Sequence, residues 1–220
     1  MGGGAVESAL REGGREPGLR LIETLAWDGA QLVRGDRHLA RLARSAALLG
    51  WPCDASAARK ALLADRAGPE RLRLTLDASG QIEVTSGPIL SAPGPWHLSF
   101  GHVRLRSDDP WLRLKTTRRQ VYFAARAAMP EGIHEVLFLN ERGEVCEGTI
   151  TNVFFDAGDG LCTPPLACGL LPGILREEML ATGQARECVL PLGQLADCKL
   201  FVGNSLRGLI PAVQPMALPR

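Results

Sequence analysis

The chain has 220 residues and is 45% hydrophobic, enough for one large domain or two small ones, with a core that buries roughly 70% of the unfolded surface. Its 25 basic residues are interspersed with 24 acidic ones for a net charge of +1, which leaves no basic track for nucleic acid. No stretch approaches the roughly 18 apolar residues of a membrane span, and the six cysteines show neither a CxxC pair nor the Cys/His spacing of a zinc site, so reduced thiols, a cytoplasmic home and no metal are expected.

The opening MGGGAVESALREGGREPG lacks the apolar run of a signal peptide, and residues 1–17 read as a flexible tail. Residues 19–34 alternate apolar and polar on either side of Asp28-Gly29, which predicts a hairpin. Asp36 then caps a helix whose Leu39, Leu42, Ala46 and Leu49 recur at helical spacing and which ends at Gly50. A second helix is expected over 55–66. Strand alternation returns over 70–87 and 96–105, and the proline-rich ILSAPGP between them marks the candidate boundary between a small α+β domain, 18–92, and a larger domain, 93–220.

After the loop SDDP comes Lys115, then a helix expected over 117–129, a strand in HEVLFLN, the turn ERGEV and a strand in TNVFF. GLLPGILREEMLATG reads as a loop feeding a helix with Pro172 near its first turn, where a missing N–H costs little. KLFVGNS is the last expected strand and ends in a polar turn. The elements alternate too irregularly for a doubly wound sheet, and no GxGxxG follows a strand, so the class is α+β without a Rossmann site.

Lys115 stands out because the chain has only three lysines, Lys60, Lys115 and Lys199, and this one sits beside Arg113, Arg118 and Arg119. A lysine amine, unlike a guanidinium, loses its proton when desolvated or crowded by cations and can then act as a base or carbonyl nucleophile. The bland alternative is a surface lysine in an arginine-rich chain. Four further segments fit the needs of a pyridoxal phosphate site, which are an amine for the aldehyde, an acid for the ring nitrogen and donors for a phosphate dianion. Glu147, in GEVCEGTITNVFF, lies between a turn and an apolar strand, where a carboxylate needs a cation or donor; an ordinary turn glutamate is the alternative. GLLPGILRE offers the amides of Ile174 and Leu175 at a helix start, VGNSLRG adds Ser205 and the backbone around Asn204, and Arg41 in RHLARL offers a bidentate cation, although a helix junction, a polar turn and an exposed arginine are the commoner uses of each. His38 reads as structural; His97, His102, His134 and the Asp108-Asp109 pair have no spacing that suggests a site.

In order and spacing, LIETL, RHLARL, LKTTRR, GEVCEGTITNVFF, TPPLACGLLPGILR and NSLRG together resemble the class IV aminotransferase family of pyridoxal-phosphate enzymes, from about Leu21 to Val213. The resemblance implies fold type IV, with the cofactor in a cleft between a small and a larger domain, and a homodimer. It implies that Lys115 binds the cofactor's aldehyde and shuttles protons, that Glu147 pairs with the pyridine nitrogen, and that Arg41, Ile174, Leu175, Asn204 and Ser205 hold the phosphate. Leu175 stands where many members have threonine, a departure that a backbone contact tolerates. LKTTRR and NSLRG look more like 4-amino-4-deoxychorismate lyases than like branched-chain aminotransferases, so the implied reaction releases pyruvate and p-aminobenzoate, a folate precursor. Thr24 then assists near the reacting centre, Arg119 or Arg207 binds a substrate carboxylate, and a separate aminodeoxychorismate synthase is a possible partner. A transaminase for branched-chain or D-amino acids is the runner-up, and a non-catalytic relative the third reading. A strand that usually precedes the ET motif is replaced by the glycine-rich start, which leaves open how the small sheet is completed.

Overall fold

The structure, a computed structural model, describes residues 3–90 and 94–215. The chain divides into two compact units, one made of residues 1–90 with 114–118 and the other of 91–113 with 119–220. The proline-rich joint falls partly on residues 91–93, outside the described residues.

The first unit is built on a three-stranded antiparallel sheet, β1 (Leu21–Trp27), β2 (Glu70–Leu76) and β3 (Ile82–Gly87), in that order. Helix α1 (Gly3–Gly13) occupies most of the expected tail. That expectation is corrected: Leu10 is buried and Trp51 Nε1 donates to the Gly14 carbonyl, so burial of one apolar side chain and a tertiary hydrogen bond outweigh the low helix propensity of the glycines. The expected hairpin over 19–34 is corrected as well. Asp28 accepts the amides of Ala30 and Gln31, but the return segment makes only the bridge Trp27↔Leu32, and β1 takes β2 as its full partner.

Helix α2 (Gly35–Leu49) ends as expected at Gly50, whose φ of 70° is cheap only without a Cβ. Asp36 sits in its first turn and does not cap it; Arg34, left-handed at φ 56°, is the residue before the helix. Its buried face carries His38, Arg41 and Ser45 among Leu39, Leu42, Ala46 and Leu49, an apolar stripe with a polar seam at i, i+3 and i+7. Helix α3 (Ala55–Leu63) is capped by the Asp54 carboxylate, which accepts from Ser56 and Ala57. The short segment around Lys115 completes the sheet: Thr116 bridges Leu21, the Ile22 amide donates to the Lys115 carbonyl at 2.8 Å, and the Thr117 amide donates to the Arg20 carbonyl at 2.8 Å.

The second unit is an eight-stranded sheet from β4 (Trp96–Phe100), β5 (Glu135–Leu139), β6 (Val145–Gly148), β7 (Asn152–Asp156), β8 (Leu161–Thr163), β9 (Arg186–Glu187), β10 (Lys199–Asn204) and β11 (Gly208–Val213). The order is β10-β11-β4-β5-β6-β7-β8-β9, and β10 also pairs with β7, so six strands close on themselves as a partial barrel. Strand β5 shows why the middle of the sequence reads as unbroken apolar runs. Leu137 and Leu139 enter one core with Val145, Val153 and Val202, whereas Phe138 on the opposite face packs with Leu105, Leu112, Tyr122 and Cys146. Helix α4 (Gln120–Ala127) carries Tyr122 into the latter cluster, and α5 (Ile174–Ala181) covers a third made of Phe154, Leu175, Met179 and Ala185.

Four expectations need correction here. ERGEV is a turn only up to Glu144, and Glu147 stands on β6. The strand over 96–105 stops at Phe100, with Leu105 returning as a bridge to Asn140. Pro172 precedes the N-cap Gly173 and lies outside the first turn of α5. KLFVGNS is followed by the unforeseen β11, which carries Pro211.

Candidate active site

In the first unit, Lys115 stands opposite Ile22 in the ladder, and because residues alternate faces it shares the face of Ile22 and Thr24. Thr24 is its diagonal neighbour two residues along β1. Glu23 points to the other face and is 3% exposed, under α2. There Arg41 donates to it twice, Nε to Oε1 at 2.9 Å and Nη2 to Oε2 at 2.7 Å, while His38 Nδ1 lies 2.6 Å from Oε2. Burial alone would raise the Glu23 carboxyl, but the Arg41 charge and the bonds from His38 and Arg41 outweigh it and hold it down at about 2. Burial depresses His38, with Arg41 and Lys115 acting in the same direction against Glu23. The structure thus puts Lys115 and Thr24 on one face and Arg41 on the other. The two bonds to Glu23 account for two of the five guanidinium donors.

In the second unit, the Glu147 side chain is 6% exposed. The Tyr122 hydroxyl donates to its Oε1 at 2.6 Å, and the Leu171 amide donates to its Oε2 at 3.1 Å. Burial first, and then the Glu147 charge and hydrogen bond, push the Tyr122 phenol far above its ordinary range, so it stays a donor. The second bond ties the acid to the loop entering α5. At the start of that helix Gly173 provides no side-chain cap, leaving the first-turn amides, with the positive end of the helix dipole, to an outside acceptor. A Cβ on Gly173 would overlap Asn152 Oδ1, whose amide group is held by donation from Nδ2 to the Leu171 carbonyl at 3.0 Å.

Ile174 and Leu175 are buried, and a Cβ on Gly203 would come within 2.8 Å of both Leu175 Cδ2 and the Gly208 carbonyl. The start of α5 therefore lies against the end of β10, next to Asn204 and Ser205. Asn204 Oδ1 accepts the amides of Leu206 and Arg207, its Nδ2 donates to the Ile150 carbonyl, and Ser205 is buried. Arg207 lies over the Trp96 ring at 5.8 Å. Arg119 lies over the Tyr122 ring at 4.5 Å and donates to the Thr149 carbonyl.

Sequence reasoning missed Glu135. This fully buried carboxylate accepts the Thr149 amide and hydroxyl, the Ile150 amide at 3.1 Å and the Thr151 hydroxyl at 2.9 Å, with Arg126 at 3.7 Å. It fixes the turn that separates Glu147 from Asn152. Only its place in the apolar run HEVLFLN hinted at burial. The donor set of this unit fits pyridoxal phosphate: a buried carboxylate for a ring N–H, and uncapped amides with a hydroxyl and an Asx turn for a phosphate dianion. Among the described residues no group of His, Cys, Asp and Glu could hold a metal ion, and no helix is long and apolar enough to cross a membrane.

Residues 20–214 match the family model described as amino-transferase class IV. A solved structure from Mesorhizobium loti, provisionally titled an amino-acid aminotransferase, is 48% identical with a TM-score of 0.83 and covers 89% of this chain and 99% of its own. The 4-amino-4-deoxychorismate lyase of Pseudomonas aeruginosa is 25% identical with a TM-score of 0.79, covering 91% and 85%. A Schizosaccharomyces pombe protein with the provisional name aminodeoxychorismate lyase is 31% identical over 76% of this chain and 75% of its own. A pyridoxal-phosphate-bound structure from Mycobacterium tuberculosis, titled a hypothetical aminotransferase, shares the fold at a TM-score of 0.76 with 22% identity over 91% of this chain and 83% of its own. With its α+β units and partial barrel, the chain belongs to the class IV aminotransferase family and is a pyridoxal-phosphate-dependent enzyme of fold type IV.

Proposed function

We propose that the protein is a 4-amino-4-deoxychorismate lyase that releases pyruvate and p-aminobenzoate. The observation that carries this reading is the first unit's β1 ladder, where the Lys115 amine and the Thr24 hydroxyl share one face. Similarity to the lyases of Pseudomonas aeruginosa and Schizosaccharomyces pombe supports it.

Pyridoxal phosphate, when bound, supplies an aldehyde for the substrate amine and an electron-withdrawing ring. Lys115 takes the proton from the substrate carbon that bears the amine, and the electron pair left behind makes the substrate's own six-membered ring aromatic as its enolpyruvyl C–O bond breaks. The departing enolate gains a proton at its methylene carbon to become pyruvate, with Thr24 Oγ1 assisting at the leaving oxygen. Glu147 holds the proton on the ring nitrogen. The amides of Ile174 and Leu175, the Asn204 turn, Ser205 and Arg41 hold the phosphate, and Arg119 or Arg207 takes a substrate carboxylate. No added oxidant or acceptor is needed. A homodimer, a cytoplasmic place in folate-precursor synthesis and an aminodeoxychorismate synthase partner belong to the same proposal.

A second reading, an amino-acid transaminase, is favoured by the 48% identical structure from Mesorhizobium loti. The two readings differ in stoichiometry. Incubation of the cofactor-loaded protein with 4-amino-4-deoxychorismate and no keto acid yields equal pyruvate and p-aminobenzoate under the lyase reading. Absence of both products, with amino transfer from an amino acid to 2-oxoglutarate, assigns the protein to transamination.

A further inference from the structure

We propose that Tyr122 is a positioning residue for the cofactor's ring nitrogen: it holds the Glu147 carboxylate charged and in one orientation, and so sets how tightly that carboxylate holds a ring N–H. The proposal rests on the assignment of Glu147 to the ring nitrogen made above.

Each Glu147 oxygen receives a different fixed donor, the Tyr122 hydroxyl on Oε1 at 2.6 Å and the Leu171 amide on Oε2 at 3.1 Å. An amide in a loop fixes only one oxygen; rotation about the last side-chain bond is stopped by the second donor. A hydrogen bond to a charged, buried acceptor is also among the stronger ones.

The phenol is itself immobilised. Phe138 meets it edge-on, with ring centroids 5.2 Å apart and planes at 73°, and the Arg119 guanidinium covers its face at 4.5 Å. Arg119 is anchored on the Thr149 carbonyl, and Thr149 in turn is held by the buried Glu135 through its amide and hydroxyl. A chain of fixed contacts runs from Glu135 through Thr149, Arg119 and Tyr122 to Glu147. Its members are separated by up to 30 positions in sequence, between Arg119 and Thr149, yet it ends on one carboxylate oxygen. Burial beside that carboxylate keeps the phenol protonated, so its role is donation alone. Hydrophobic packing of the ring does not require the hydroxyl, which makes Tyr122→Phe a selective probe.

The test compares two probes that differ at one ring atom, pyridoxal 5'-phosphate and its 1-deaza analogue, in which carbon replaces the ring nitrogen. Dissociation constants are measured by equilibrium ultrafiltration for the wild type, Tyr122→Phe, Glu147→Gln and the double variant. The wild type is expected to prefer pyridoxal phosphate. Tyr122→Phe is expected to weaken pyridoxal phosphate about tenfold, one such bond's worth, and the deaza analogue less than about twofold. In the Glu147→Gln background the same change is expected to alter pyridoxal phosphate binding less than about twofold. Equal weakening of both probes, no weakening of either, or an undiminished effect in the Glu147→Gln background overturns the role of Tyr122. A wild type that binds both probes equally overturns the assignment of Glu147 and the proposal with it.

Tyr122 is the sole tyrosine of the chain, so growth on 3-fluorotyrosine labels this site alone without a mutation. Its single fluorine resonance is expected to shift more on addition of pyridoxal phosphate than of the deaza analogue. Identical shifts contradict the proposal even if Tyr122→Phe fails to fold.

Discussion

Arg41 grips Glu23 with two parallel donors, Nε to Oε1 at 2.9 Å and Nη2 to Oε2 at 2.7 Å, inside a face from which both side chains are nearly excluded from water. Glu23→Gln leaves the guanidinium and His38 facing a neutral amide that cannot match the pair. Removing one partner of a buried ion pair is expected to cost about 3 kcal/mol, read as a lower midpoint in urea. A loss of unfolding free energy under about 0.5 kcal/mol contradicts the structural weight given to this pair.

The same cluster sets an acid limit. Glu23 titrates at about 2 in the folded chain against an ordinary 4.5, so its stabilisation is complete above 4.5 and drains away as pH falls toward 2. His38 is depressed below 6.5 when folded, so the unfolded chain binds its proton first and stability already declines as pH drops through 6.5. Unfolding free energies across pH 7 to 3 are expected to fall in two stages, and His38→Gln is expected to flatten the earlier one. A profile in which the earlier stage persists in that variant removes His38 from the account.

Gly173 is expected to tolerate no side chain. Its φ of −70° suits any residue, so the cost comes from space: a Cβ must displace Asn152 and break its bond to the Leu171 carbonyl. Gly173→Ala is expected to lose about 1–3 kcal/mol of stability and to weaken pyridoxal phosphate binding at least tenfold, since the displaced loop carries the amides at the start of α5. Unchanged binding with unchanged melting temperature contradicts the packing described.

Glu135→Gln is expected to destabilise by about 3–5 kcal/mol, because an amide NH2 is turned toward donors that a carboxylate accepted. Chemical denaturation measures it directly. A neutral result means the 149–151 turn does not depend on this acid.

How far the sequence foretold this arrangement depends on the distance between partners. Helix α2 and the strand alternation over 70–87 were legible because each is governed by near neighbours, a helical stripe ending at Gly50 and side chains that alternate along one segment; the turn at Asp77 and Gly80 that makes the segment the pair β2 and β3 came from the structure. The return arm after Asp28 also looked like a strand. It lost because β2, more than 40 positions away, offers β1 seven paired residues. Helix α1 was hidden by its glycines and is stabilised by burial of Leu10, and β11 was hidden by Pro211, a residue that demotes a strand in any local reading. At the site, motif order singled out Lys115 and Glu147, whereas Tyr122 gave no sign of its hydroxyl's partner 25 positions away. Glu135 was silent for the same reason, its acceptors being filled from a turn 14–16 positions later.

Lys115 is the amine proposed to engage the cofactor, and every other role assigned at the site follows from it. Borohydride reduction of the pyridoxal-phosphate-loaded protein, followed by peptide mapping, tests it directly. Stable phosphopyridoxyl labelling on Lys115, absent from Lys60 and Lys199 and lost in a folded Lys115→Ala variant, is the predicted result. Labelling spread over the other lysines, or none on Lys115 in a yellow protein, would contradict it.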